Sequence, residues 1–572
     1  MLAISKNWLS AITICLAVIG AEKSWAQSAT DLANDAKTTD QVLTVGLGQG
    51  QQRYSALDKV NTSNVKNLVP VWNYSFGDNR GQESQPLVYK GVMYVTTHDA
   101  THAIDPKTGR GIWVSKFEYP PETPRIVCCG IVNRGAAIYN GKLYRATLDA
   151  HVVALNMEDG TEVWKSKAID YADGYSMTMA PLIANGVVIT GISGGEYGIR
   201  GFIDGWDPET GKHLWRRYTV PAPGEEGGDT WPGETYKHGG APTWITGTYD
   251  PELDLVYWGA GNGGPWNAEF RKGDNLYVGS VLALKPKTGE IAWHYQFSPN
   301  DPYDYDGVNE NIIADVEIDG KMQKVIMHAD RNGYLYVIDR TDGKLLRASQ
   351  YIKKLNWADG IDMKTGRPID SALTKKMRTT GEKIDVWPSA FGGKNWFPMS
   401  YSPKSGFVYA NTLEMGMSYK PVEPVFKKGT FYFGLDLAQL QFLFPDDGNT
   451  GYLRAIDPLS GDIKWEVGSQ AANWGGTMVT AGDLVFTGTF TGQFKAFDAN
   501  TGAEVWSFQT GSGIIGQPMA WEQDGKQYIS IASGIGGAYR NFIPVFGAKN
   551  VELNKTIASV PEGGSIWTFA LQ

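Results

Sequence analysis

The chain is poor in the residues that soft metals and covalent haem require. Its 572 residues include three cysteines and seven histidines. No Cys-x-x-Cys-His occurs, which excludes an attached c-type haem. The histidines form no ligand cluster, which argues against zinc or copper. No glycine fingerprint opens a helix in the way a nicotinamide dinucleotide site needs. There is no basic tract, and 61 acidic against 52 basic residues give a formal charge of -9. That balance excludes nucleic acid as a partner and favours a basic soluble protein.

Long apolar runs are also missing. The longest, Trp8 to Ile19, covers about 12 residues, and a membrane-spanning helix needs about 20. It follows Lys6 and precedes Ser24-Trp25-Ala26, the layout of a signal peptide over residues 1–26 with cleavage before Gln27. The segment takes with it Lys6, Lys23 and Glu22, a net +1, so the mature chain carries -10. Cys15 leaves too, and Cys128 and Cys129 remain as adjacent thiols. Such a pair either packs as two small hydrophobes or, in an oxidising compartment, closes a small ring. A ring across one peptide restricts almost no unfolded chain, so it points to a site rather than a staple. Export to the periplasm favours the ring.

What the chain does have is a repeat. The phrases AIDPKTGRGIW, ALNMEDGTEVW, GWDPETGKHLW, ALKPKTGEIAW, VIDRTDGKLLR, AIDPLSGDIKW and AFDANTGAEVW end at Trp113, Trp164, Trp215, Trp293, Arg347, Trp465 and Trp506. Each reads as strand, Asp/Asn-Gly turn and strand, with a tryptophan placed to dock on the neighbouring unit. Spacings of 41 and 51 residues suit four short strands per unit. The pattern predicts an all-β, eight-bladed β-propeller occupying residues 27–572 as one domain. Trp72, 41 residues before Trp113, marks an N-terminal strand that completes the last blade and closes the ring. The 118 residues between Arg347 and Trp465 read as one blade with excursions at 351–383 and about 418–449. The second excursion is a candidate roof over the site or homodimer contact.

Three polar segments stand out beside the cysteines: SGGEYGIRG with Glu196, WGAGNGGPWN with Asn262, and DPYDYDGVNE with Asp304 and Asp306. Carboxylates and an amide oxygen are hard ligands, suited to calcium or a more highly charged oxygen-seeking cation. The last segment does not fit an EF-hand loop: with Gly307 at position 6, Pro302 and Ile313 occupy the end ligand positions. A strand-like backbone there would put Asp304 and Asp306 on one face.

With Cys-Cys followed by Val132-Asn133-Arg134-Gly135, then SGGE, GNGGPWN, DYDG, HADRNG around Arg331 and NWFPM from Asn395, the chain resembles the pyrroloquinoline quinone (PQQ)-dependent alcohol dehydrogenases of the soluble quinoprotein methanol/ethanol dehydrogenase type, from about Gln41 onward. Members of that family are eight-bladed propellers with the quinone near the axis. The resemblance implies that a Cys128–Cys129 disulfide covers one face of the quinone and Trp244 the other. It implies cofactor-binding roles for Glu83, Arg134, Thr178, Ser193, Arg331 and Asn395, with Arg134 suited to a quinone carboxylate through its guanidinium fork. It implies Glu196, Asn262 and Asp304 as metal ligands and Asp304 as the general base. Calcium-using relatives carry a small or neutral residue where this chain has Asp306, so the extra carboxylate resembles the lanthanide-dependent members, with calcium the alternative.

The implied activity is oxidation of an alcohol to an aldehyde or ketone, with electrons leaving to a separate c-type cytochrome. A non-catalytic propeller scaffold would account for the repeat and the signal segment. It would not account for the cysteine pair and the carboxylate segments occurring together.

Overall fold

The computed structural model describes residues 26–537 and 550–572. The signal segment expected over 1–26 lies, but for Ala26, outside the described residues. The described chain is built mainly of antiparallel strands, in seven four-stranded sheets and one five-stranded sheet, with a two- and a three-stranded sheet added. No helix among the described residues is long and apolar enough to cross a membrane.

The repeat phrases fold as the sequence predicts. In the first, Ala100–Ile104 pairs with Gly111–Lys116, Ala103 lies opposite Trp113, and the register shifts by one residue after that pair. The same shift recurs beside Trp215, Trp293, Trp465 and Trp506. A bulge at this point turns the tryptophan toward the next sheet. Each indole N–H then donates to a main-chain carbonyl of that sheet's turn: Trp72 to Pro106 (2.9 Å), Trp113 to Met157 (3.3 Å), Trp164 to Pro208 (3.0 Å), Trp215 to Pro286 (3.0 Å), Trp293 to Arg340 (3.2 Å) and Trp465 to Ala499 (2.9 Å). A half-buried indole needs such a partner. The turn glycine lies under the ring: a Cβ on Gly160, which has φ +75°, would stand 2.5 Å from Trp113. The phrase ending at Arg347 departs, and there Gly461 faces Ser349 instead.

The last docking contact runs from Trp506 to the carbonyl of Leu68 (3.0 Å), in the N-terminal strand. That strand, Leu68–Ser75, pairs antiparallel with Ser565–Leu571, the last strand in the chain. The long interval between Arg347 and Trp465 contributes one sheet, from Ser400–Tyr401, Val408–Leu413, Gly451–Ile456 and Ile463–Ser469. Between its second and third strands the chain leaves to form a small sheet, in which Gly416–Tyr419 and Gln441–Leu443 join Ile384–Val386. The stretch from 351 to 383 adds a two-stranded sheet and the helix Ala372–Thr380. The loops at one end of the sheets carry the polar segments named above.

Candidate active site

Cys128 and Cys129 are disulfide-bonded, with Cα atoms 3.8 Å apart. Cys129 and the following Gly130 both have positive φ (64° and 134°). Only a constrained loop holds a non-glycine residue there, and such strain concentrates at functional sites. The pair borders a cavity of about 120 Å³ also lined by Arg134, Thr178, Ser193, Glu196, Trp244, Asp304, Arg331 and Asn395. Residues far apart in sequence are thus brought to one place. Glu83, Asn262 and Asp306 do not line the cavity and stand behind those that do.

On one side Arg134 is held in a polar and aromatic cage. Its Nε lies 2.7 Å from the buried Glu83 carboxylate, and its Nη1 donates to Thr178 Oγ1 at 2.6 Å. Thr178 in turn contacts Ser193 Oγ at 3.1 Å. The guanidinium lies over the rings of both Trp244 (4.8 Å) and Trp396 (4.9 Å), a geometry a planar cation favours.

On the other side two carboxylates meet one arginine, and Glu196 adds its charge from farther off. Arg331 Nη1 reaches Asp304 Oδ2 at 3.1 Å, and Nη2 reaches Asp306 Oδ2 at 2.8 Å. Asp306 also accepts from the Trp244 indole at 3.1 Å and from the main-chain N–H of Asn262. Asp304 does not lie on a strand, as the sequence suggested. It has φ +67° in a turn whose Asp304 carbonyl accepts from Asp306 N at 3.1 Å. The turn, rather than strand alternation, brings both carboxylates to Arg331.

Burial pushes the Glu196 carboxyl up to about 7, and repulsion from Asp306 adds to it. Burial likewise raises Asp304 well above the carboxylate range; Arg331 opposes this, while Asp306 and Glu196 reinforce it. Asp306 is raised for the same first reason, with Arg331 opposing. Burial works against the Arg331 charge, and Asp306, Asp304 and Glu196 more than offset it. A donor set this rich in oxygen and short of positive charge suits a multivalent hard cation. Two buried oxygens have no hydrogen-bond donor, Asn262 Oδ1 and Asp304 Oδ1. The Glu196 turn approaches the first so closely that a Cβ on Gly195 would lie 2.5 Å from it. These residues fit a bound metal ion.

The remaining cavity wall was not read from the sequence. It includes Val132, Phe391, Trp396 and Trp474. Trp396 lies inside the NWFPM motif beside Asn395, which was its one available signal. Val132 likewise opens the motif that holds Arg134, whereas Trp474 belongs to no repeat phrase and Phe391 looks like any core residue. The aromatic residues of the excursion do not line this cavity. Phe426 stacks on His238 and Phe431 on Tyr197.

Comparison with known proteins agrees with this arrangement. Residues 44–348 and 434–529 match the sequence family described as PQQ glucose/ethanol/alcohol dehydrogenase, β-propeller domain. The chain is 42% identical over 569 residues to the quinoprotein alcohol dehydrogenase PedH of Pseudomonas putida, covering 96% of this chain and 93% of that one. It is 36% identical over 606 residues to the lanthanide-dependent methanol dehydrogenase of Methylacidiphilum fumariolicum, covering 100% of this chain and 98% of that one. A solved europium-containing methanol dehydrogenase superposes with a TM-score of 0.88 at 35% identity, over 95% of this chain and all of that one.

Proposed function

The chain belongs to the PQQ-dependent alcohol dehydrogenase family, and from that premise we propose that it oxidises primary alcohols to aldehydes, and secondary ones to ketones, in the periplasm with a lanthanide ion beside the quinone. Family membership makes it an enzyme and removes the scaffold alternative. The observation that carries the metal reading is that Asp304 and Asp306 share Arg331 while the Glu196 turn closes on Asn262 Oδ1, a buried oxygen without a donor.

A quinone bound in this cavity would supply the hydride acceptor for the carbinol carbon, and a metal held by these residues would supply a Lewis acid. The protein's own residues do the rest. Asp304 accepts the hydroxyl proton at Oδ1, the oxygen without a donor, while Arg331 fixes Oδ2. Glu196 and Asn262, with Asp304 and Asp306, supply the metal ligands. Arg134, oriented by Glu83 and Thr178, would engage a quinone carboxylate, with Ser193 in contact with Thr178 and Asn395 in contact with Arg331 on the same cavity. The disulfide and Trp244 bound the cavity and limit how a flat ring can tilt.

One observation favours calcium as a second reading. Both Asp306 oxygens already accept, from Trp244, Arg331 and Asn262 N, as a purely structural carboxylate would. We read the eight larger sheets as eight blades of a closed ring, supported by the Leu68–Ser75 pairing and the Trp506 contact. The signal-like segment supports export, and the acidic mature surface supports a basic c-type cytochrome as electron acceptor. The test is a dye-linked assay on protein reconstituted with PQQ and lanthanum. Alcohol-dependent dye reduction without nicotinamide is the expected result, and a requirement for NAD would end the proposal.

A further inference from the structure

Glu196 and Asn262 lie on separate loops, and the excursion between 413 and 451 touches both. On the Glu196 side, Tyr432 N donates to the Glu196 carbonyl at 2.7 Å. Tyr197, next to Glu196, stacks on Phe431 with centroids 4.9 Å apart. Phe426 stacks on His238 at 3.6 Å, and His238 Nδ1 lies 2.9 Å from the carbonyl of Gly198. The fit is tight: a Cβ on Gly198 would stand 2.9 Å from the Tyr432 ring. On the Asn262 side, Trp266 N donates to the Phe433 carbonyl at 2.7 Å, and Asn267 Nδ2 donates to the Val422 carbonyl at 2.8 Å. Phe433 packs on Trp266, and Phe431 stacks on Phe433.

We propose that the segment from Val422 to Phe433 is a strap that fixes the separation of the Glu196 and Asn262 loops, and through it the affinity and size preference of the metal site. This rests on the reading of Glu196 and Asn262 as metal ligands. Selectivity among hard cations depends on the size and rigidity of the ligand cage. Residues that orient ligands from outside contribute much of a site's affinity. Phe426 and Phe431 are positioning residues here. They are 39% and 52% exposed, so shortening them does not open the core.

The test uses the full enzyme reconstituted with PQQ and europium, with luminescence followed during competition by a chelator. Phe431→Ala and Phe426→Ala should each weaken europium retention roughly tenfold. They should also narrow the difference between lanthanum and lutetium as displacing ions. Phe431→Tyr, which keeps the stacked ring, and Val425→Ala, at an 81% exposed position of the same segment, should match the wild type. Thermal midpoints identify any variant that has lost its fold, and Phe431→Leu then replaces it. Europium retention and ion preference unchanged in both alanine variants would overturn the strap. A wild type that holds no europium would instead overturn the ligand assignment beneath it.

Discussion

Trp244 donates its indole N–H to Oδ2 of Asp306 at 3.1 Å. The ring that bounds the cavity is therefore tied to the carboxylate on which the proposed metal preference rests. Arg331 completes the link, because its Nη2 meets the same oxygen and its guanidinium lies 5.7 Å from the Trp244 ring centroid. A change at Asp306 moves charge, ring and arginine together.

The metal preference follows from that link. Apo-enzyme given PQQ should regain far more activity with lanthanum or cerium than with calcium, because each carboxylate gains more from a trivalent ion. Asp306→Ala should lose that preference and hold europium at least tenfold less well, as removal of a supporting carboxylate does at other metal sites. Metal titration followed by luminescence and dye reduction checks both. A wild type fully active with calcium and indifferent to lanthanides would make Asp306 only the anchor of Trp244 and Arg331.

Asp304→Asn should lower turnover by roughly 10²- to 10⁴-fold, the usual contribution of a positioned base. Quinone should stay bound, since the amide still accepts from Arg331 while it cannot take a proton. Dye-linked kinetics and the absorbance of bound quinone after gel filtration separate the two effects. Near-normal turnover would remove Asp304 from the base role.

The fold was legible because its repeat is written locally: the phrase that makes the turn also carries the tryptophan that docks on the next sheet. The pairing of Leu68–Ser75 with Ser565–Leu571 could be read from the spacing of Trp72 together with a last unit, ending in SIWTFAL, that is one strand short. Arg134, Ser193, Glu196, Asp304, Arg331 and Asn395, which meet at the cavity, each sit in a motif quoted from the sequence. The conformation of Asp304 was not, because Tyr-Asp-Tyr-Asp alternates like a strand and only tertiary contacts force φ to +67°. Nor was Trp474, since a cavity wall and a core use the same apolar residues. The excursion was expected as a roof over the site or a dimer contact; its aromatics pack on Tyr197, His238 and Trp266 and do not line the cavity.

Arg134→Lys should weaken quinone binding even though the charge is kept. A lysine cannot meet Glu83 and Thr178 while lying flat between Trp244 and Trp396. Losing one charge-assisted contact corresponds to roughly 10- to 100-fold in affinity. Equilibrium titration of apo-enzyme with PQQ measures it. Unchanged affinity would show that Arg134 holds Glu83 and the tryptophans but not the cofactor.

Two buried carboxyls that do not line the cavity give the folded protein a pH dependence of definite sign. Burial raises Asp35 from 3.8 to about 6 against hydrogen bonds from Thr44 Oγ1 and the N–H groups of Leu43 and Thr44, and it raises Asp301 to about 6 against those from Tyr303 and Tyr305 and the charge of Arg271. Between about pH 4 and 6 the folded chain keeps these protons while the unfolded chain releases them. Folding then takes up protons, so each group's contribution to stability falls as pH rises through that window. At about 1.4 kcal/mol per pK unit, a shift of this size is worth up to about 3 kcal/mol. Asp35→Asn removes the titrating group at nearly the same shape. The thermal stability of Asp35→Asn minus that of wild type should therefore rise from pH 4 to pH 6 and level off above it. A difference that stays nearly flat over that range would mean that Asp35 is ionised in the folded protein, held by its three donors more strongly than burial opposes it.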